Sequence, residues 1–234
     1  MPVPAMVLAA GLGERMRPLT ERVPKPLISI AGTPMIDRML DHLTEGGIKE
    51  VVVNTHHLAE QIIAHLKFRQ MPSVSIVYEK QLLDTGGGVA QALPFLGKKS
   101  FLVVNSDIVV LNGGQPVVSR MIETWRPHMD ALLLVQPTIR AFGYDGPGDF
   151  ILDADGRMRR RIEGEIAPYL FAGVQMLHSR MFDKLPDPPF SLNVIYDRAQ
   201  TTGGLYGLVH DGEWMHVGTV DALTHIENHL ESLK

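Results

Sequence analysis

The stretch that most limits what this chain can become is Leu8-Ala9-Ala10-Gly11-Leu12-Gly13-Glu14-Arg15-Met16-Arg17-Pro18-Leu19-Thr20, followed closely by Pro24-Lys25-Pro26-Leu27. Residues 4 to 10 are an unbroken apolar run, the pattern of a short strand buried on both faces. The turn after it lacks a Cβ at Gly11 and Gly13, so backbone N–H groups can close on an anion. A strand feeding such a loop suits bound phosphate, and spacing removes two of its versions. A dinucleotide fingerprint needs a third glycine where Met16 stands and a helix where Pro18 stands, and a P-loop needs a Gly-Lys-Ser/Thr that is absent. What remains is a glycine turn joined to Arg15 and Lys25, with prolines at 18, 24 and 26 stiffening the connection.

Downstream, Thr33-Pro34 reads as a helix N-cap with proline at the first helical position, and Met35, Ile36, Met39, Leu40 and Leu43 follow at helical spacing. Lys49 to Asn54 reads as a strand, Ile62, Ile63 and Leu66 lie on a second helix, and Val74 to Tyr78 is a third strand. This β-α-β-α-β order predicts an α/β fold: a Rossmann-like, doubly wound, mostly parallel sheet whose ligands bind outside the carboxyl ends of the strands. The triple glycine Gly86-Gly87-Gly88 leads into a predicted helix from Val89 to Leu96, and Phe101 to Asp107 is an apolar strand with a polar end. Gln115 to Trp125 is a predicted helix and Ala131 to Val135 a strand. A Gly/Pro-rich loop then leads to a hairpin, Asp149 to Asp153 with Met158 to Ile162, turned at Asp155-Gly156. Tyr169 to Met176 is a strand, Gly204 to His210 and Glu213 to Val217 are a predicted final strand pair, and Asp221 to Leu233 is a closing helix.

Composition sets the outer limits. The 234 residues predict one domain over 1–234. A net charge of −4 gives no reason to expect a nucleic-acid partner. With no cysteine there is no disulfide, thiolate nucleophile or zinc–thiolate site. The start lacks a basic leader and no apolar run reaches the roughly eighteen residues of a membrane span, so a cytoplasmic protein without a membrane partner is expected.

Leu8 to Leu27 resembles the signature of the sugar-phosphate nucleotidyltransferases, Gly-x-Gly-Thr-Arg-x-x-Pro-Leu-Thr followed by Pro-Lys-Pro-Leu. Glu14 stands where threonine or serine is common, as in the N-acetylmuramate-1-phosphate uridylyltransferase branch. The resemblance implies that Leu8, Ala10, Gly11, Leu12, Gly13, Glu14 and Arg15 bind the nucleotide, with Arg15 on the leaving pyrophosphate and Lys25 on the α-phosphate and attacking phosphate. Glu79 and Asp84-Thr85-Gly86-Gly87-Gly88 resemble the base-holding stretch, which implies contacts from Glu79, Thr85 and Gly86; tight packing is the other reading of the triple glycine. Asn105-Ser106-Asp107 looks like the Asn/Asp-Gly-Asp element, implying Asp107 as a magnesium ligand and Asn105 near the sugar. Gly148-Asp149-Phe150 and Ala172-Gly173 resemble sugar-site elements, while the Glu-Lys-Pro triplet of other branches is missing, with Glu163 as its remnant. Arg159, Arg160 and Arg161 are then alternative phosphate partners, or a solvated charged face.

Trp214-Met215-His216-Val217-Gly218-Thr219 resembles Trp-x-Asp-Ile/Val-Gly-Thr, whose aspartate is the family's second magnesium ligand. Imidazole is a poor ligand for hard Mg2+, so His216 is a doubtful one and Mn2+ is a second choice of ion. At its ordinary pKa of about 6.5, His216 would become charged in mildly acidic solution. The activity implied is nucleotidyl transfer from a nucleoside triphosphate to a sugar 1-phosphate, with UTP and N-acetylmuramate 1-phosphate favoured, and the resemblance implies a nucleotide-binding half of about 1–110 and a sugar-binding half of about 111–234 that carries a small sugar-binding lobe. Mannose-1-phosphate guanylyl transfer and glucose-1-phosphate thymidylyl transfer stay open, as does a regulatory protein that only binds a nucleotide sugar. Oligomeric state is not readable from the chain.

Overall fold

The computed structural model describes residues 3 to 233. Strand Ala5–Leu8 lies at the centre, pairing in parallel with Glu50–Thr55 on one side and Ser100–Asn105 on the other, and Glu50–Thr55 continues in parallel to Ser73–Tyr78. Beyond Ser100–Asn105 runs Tyr169–His178, antiparallel to it, then Ala131–Pro137, antiparallel in turn, then Leu205–Val209 in parallel. Every one of these strands except Tyr169–His178 therefore points the same way, and the sheet is mostly parallel. The hairpin of Phe150–Leu152 and Met158–Arg160 hangs from the start of Tyr169–His178 through Phe150 opposite Tyr169.

Alternation along the central strand explains the two helical layers. Ala5 and Val7 face Met39, Leu40, Ile62 and Met121, from helices Met35–Glu45, Ala59–Leu66 and Val117–Thr124. Met6 faces the opposite layer, with Val89 and Leu96 of helix Asp84–Leu96 and Ile195 of helix Asn193–Thr201. Each such side chain, taken fully out of water, contributes about 2 kcal/mol of apolar burial. A third cluster joins Met16 of the first loop to Met215 and Val217 and to Ile226 and Leu230 of the last helix, Val220–Ser232. Met16, whose side chain occupies the place of a fingerprint glycine, thus anchors the loop.

Several expectations are corrected. Thr33–Pro34 is a short strand paired with Ser29–Ile30, and the helix begins at Met35, whose N–H donates to Ile28 O at 3.1 Å. The last two strands do not pair with each other: Leu205–Val209 enters the main sheet beside Ala131–Pro137, whereas Trp214–His216 pairs with Ile108–Val110 and Ala141–Phe142 in a separate small sheet. The link between them is held by Arg120, which binds both Asp211 and Val209 O and turns the chain away from a hairpin. By contrast, the stretch from Ser179 to Arg198, whose prolines at 186, 188 and 189 suit short helices and turns, holds the 3-10 helix Ser179–Phe182 and the start of helix Asn193–Thr201. The triple glycine lies inside helix Asp84–Leu96 rather than before it.

Candidate active site

Register brings three strand ends to one edge, with Leu8 beside both Asn54 and Asn105. A cavity of about 750 Å3 opens there, lined by the whole run from Leu8 to Met16 together with Lys25, Glu79, Thr85, Asn105 and Asp107. The loop's shape follows from Gly13, which takes a left-handed φ of 65° and where a Cβ would come 2.7 Å from Thr20 Cγ2 and 3.2 Å from Lys25 Cβ. Thr20 closes the loop by donating its hydroxyl to Gly13 O at 2.9 Å. Pro24 is extended and Lys25 starts a tight 3-10 turn, which presents a buried ammonium to the cavity. Its Nζ lies 2.6 Å from Asp107 Oδ2. Residues 82 positions apart in the chain thus put one cation and one carboxylate at the mouth of the glycine loop.

Asp107 is held by its neighbour. Ser106, found where the family pattern has glycine, donates its hydroxyl to Leu8 O at 2.6 Å, tying the end of the Ser100–Asn105 strand to the start of the phosphate loop. The side of the cavity where the base is expected is built on a buried network that sequence reading missed. Asn54 accepts from Ala9 N–H at 2.8 Å and donates to Glu79 Oε1 at 2.6 Å, and Glu79 Oε2 accepts from Leu83 N–H at 3.0 Å. A polar residue ending the Val51-Val52-Val53 run is the signal, the same one that marked Asn105. Gly88 must be glycine here, since a Cβ would lie 2.8 Å from both Asn54 Nδ2 and Glu79 Oε1. Gly86 packs on the Phe190 ring and its N–H donates to Phe190 O at 2.9 Å, so that amide is engaged within the chain and packing accounts for this glycine. Thr85 lines the cavity, with its hydroxyl oxygen accepting from Leu192 N–H at 3.0 Å.

His216 stands across from Asp107. Its strand pairs with Ile108, and a Cβ on Gly218 would meet both the His216 ring at 2.7 Å and Arg15 Nη1 at 3.6 Å. The imidazole stacks on Trp214 with an interplanar angle of 14°. Burial lowers its pKa; Asp107 opposes that shift while Lys25 and Arg15 add to it. The protonation expected near pH 6.5 therefore moves to lower pH, and the ring is neutral at pH 7. Among the described residues no group of three or more His, Asp or Glu converges on a point, so protein alone does not cage a metal. Asp107 beside bound phosphates is nonetheless a donor set suited to Mg2+, which is commonly held by one or two carboxylates plus substrate oxygens.

The sugar-site residues fall in two places. Asn105 lines the first cavity, whereas Asp149 and Glu163 line a second one of about 440 Å3, with Arg160, Arg161, Phe171, Asn193 and Tyr196. Asp149 also latches the hairpin to the sheet, accepting from Phe171 N–H through Oδ2 at 2.9 Å. Gly148, Ala172 and Gly173 line neither cavity. Gly148 takes a φ of 75° where a side chain would strike Ala167 O, and Gly173 sits at a bulge with φ 79°, against Ile108 and Asn105. The Ala172 carbonyl accepts from Trp214 Nε1 at 3.0 Å. These three shape the site from behind.

The Nucleotidyl transferase family model matches residues 4–232. The chain belongs to that family. Among curated relatives, this family member is 40% identical over 224 residues to the N-acetylmuramate alpha-1-phosphate uridylyltransferase of Caulobacter vibrioides, covering 93% of each chain. It is 35% identical over 223 residues to that of Neisseria meningitidis, covering 92% of this chain and 93% of the relative. Its fold is shared with the UTP-bound UGPase from Acinetobacter baumannii, at a TM-score of 0.80 and 18% identity over 100% of this chain and 95% of that one. Among the described residues no helix is long and apolar enough to cross a membrane.

Proposed function

We propose that this nucleotidyltransferase joins UTP to N-acetylmuramate 1-phosphate, giving the UDP sugar and pyrophosphate, as a cytoplasmic step that returns a peptidoglycan sugar to use. The observation that carries the reading is Lys25 Nζ at 2.6 Å from Asp107 within the Gly11–Gly13 cavity, in a chain 40% identical to an enzyme named for that reaction.

In this reading the sugar-phosphate oxygen attacks the α-phosphorus of UTP in line, a new P–O bond forms, and the bond to the β-phosphate breaks. No covalent protein intermediate is needed, so the residues act by position and charge. Lys25 neutralises the α-phosphate and the incoming phosphate from a buried place. Arg15 and the Gly11 and Gly13 amides hold the departing pyrophosphate. Glu79, fixed by Asn54 and Leu83, and Thr85 flank the base. Asp107, with His216 as the neighbouring donor, would hold Mg2+, which supplies charge against the phosphates.

The test is pyrophosphate release measured with UTP, GTP and dTTP against N-acetylmuramate, mannose and glucose 1-phosphates. UTP should also raise the melting temperature more than GTP or dTTP at equal concentration, because tighter binding to the native state stabilises it by mass action. Turnover confined to GTP with mannose 1-phosphate would move the chain to the guanylyl branch.

A further inference from the structure

The fold divides the run of three arginines. Arg159 is bidentate on Glu165, at 2.8 and 2.6 Å, and Arg160 Nη1 meets both oxygens of Asp197, at 2.7 and 2.9 Å. Arg161 is half-buried and makes no carboxylate ion pair among the described residues; it reaches only Glu165 O, at 3.5 Å. It lines the second cavity. The other polar groups around it are largely committed. Asp149 Oδ2 holds the Phe171 amide, and the Tyr196 phenol, kept protonated by burial, donates to Gln175 at 2.8 Å. Of the charged groups, what is left facing the cavity is the Arg161 guanidinium and the exposed Glu163, with the exposed Asn193 beside them.

A half-buried guanidinium held only by one long bond to a carbonyl keeps most of its donors open, and its planar fork matches a carboxylate or phosphate. Position decides between the two. The two cavities share no lining residue, and they are joined by the chain from Pro189, in the first, to Asn193, in the second. Four residues span at most about 14 Å. In the function proposed above the 1-phosphate is held at Lys25 in the first cavity, which leaves Arg161, in the neighbouring one, for a second anionic group on the same sugar. Resting on the function proposed above, we infer that Arg161 is the residue that selects the sugar, by pairing with the carboxylate carried on its ring substituent. Glu163, opposite, is placed to accept an amide or hydroxyl proton from the same sugar.

The experiment measures kcat/KM by pyrophosphate release, with UTP fixed, for N-acetylmuramate 1-phosphate and for N-acetylglucosamine 1-phosphate, which lacks the carboxylate-bearing ether. The readout is the ratio of the two. Arg161→Met should lower it by about 10- to 100-fold, the usual worth of a charged, bidentate contact. Arg161→Lys, which keeps the charge but not the fork, should lower it several-fold and serves as the test if the methionine variant does not fold. Arg159→Gln, away from the cavity, should leave the ratio at the wild-type value. A ratio unmoved by Arg161→Met overturns the inference, whether both substrates suffer equally, as a phosphate contact would make them, or neither does. Equal use of both sugars by the wild type overturns it too while leaving the uridylyl transfer intact. A wild-type protein silent with every sugar 1-phosphate and triphosphate overturns the reaction itself.

Discussion

Replacing Lys25 with methionine keeps most of the apolar stem and removes the ammonium. In the structure that ammonium is buried and lies 2.6 Å from Asp107 Oδ2, so two effects of one sign follow. A unit charge about 5 Å from a phosphate oxygen contributes about 3 kcal/mol at an effective dielectric of roughly 20. Its loss corresponds to about a hundredfold in rate. The Asp107 carboxylate, left without its cation, also faces the incoming phosphates and repels them, so about a hundredfold is a lower bound. Stability should change little, because the Asp107 side chain is 30% exposed and water takes over much of its solvation. Steady-state pyrophosphate release, with a thermal melt as control, gives both numbers. A rate within fivefold of wild type in a folded Lys25→Met protein would refute the assignment of Lys25 to the reacting phosphates.

Asn54→Ala strands the Ala9 N–H and one oxygen of the buried Glu79, and should cost about 3 kcal/mol, or roughly 6–12 °C in melting temperature; a shift under 2 °C would show that the network is not holding the loop. His216→Asp supplies the negative charge imidazole lacks, so the Mg2+ concentration for half-maximal activity should fall, and identical Mg2+ curves for the two proteins would remove His216 from the metal's surroundings. His210 is buried and its pKa is lowered chiefly by that burial, so the unfolded chain takes up its proton first. Its contribution to stability is complete above the unfolded value of about 6.5 and is lost as pH falls toward the lower folded value. Denaturant titrations of wild type and His210→Gln between pH 7 and pH 5 should show a shallower decline in the variant, and parallel declines would count against a neutral His210.

The strands and the phosphate loop were legible because local chemistry decides them: apolar runs of five or six residues, glycines at a turn, prolines around Lys25. Partner choice was not local. Glu213 to Val217 and Gly204 to His210 read as a hairpin, since adjacency was the only guide, but Trp214 found its place against Val110 and its indole N–H found Ala172 O. The triple glycine read as a loose helix approach, yet what fixes it is distant: the Phe190 ring at Gly86 and the Asn54–Glu79 pair at Gly88. Ser106 and Asn54 acquire their meaning only when the Leu8 carbonyl and the Ala9 amide stand beside them. The arginine run was ambiguous for the same reason, because which guanidinium keeps a partner depends on Glu165 and on Asp197, some forty residues away.

The third apolar cluster sets an order of events during synthesis. Met16 is fully buried, and what buries it includes Met215, Val217, Ile226 and Leu230. The glycine loop leaves the ribosome about two hundred residues before part of its footing does. While the intervening two hundred or so residues are being added, the parallel strands can assemble from neighbours already present, at the usual pace of domain-wise folding. Thr20, Asn54 and Ser106 can hold the loop early, but the Met16 side stays partly uncovered until residue 230 has emerged. A nascent chain halted before the helix Val220–Ser232 would therefore hold much of its sheet while Met16 still lacked Ile226 and Leu230.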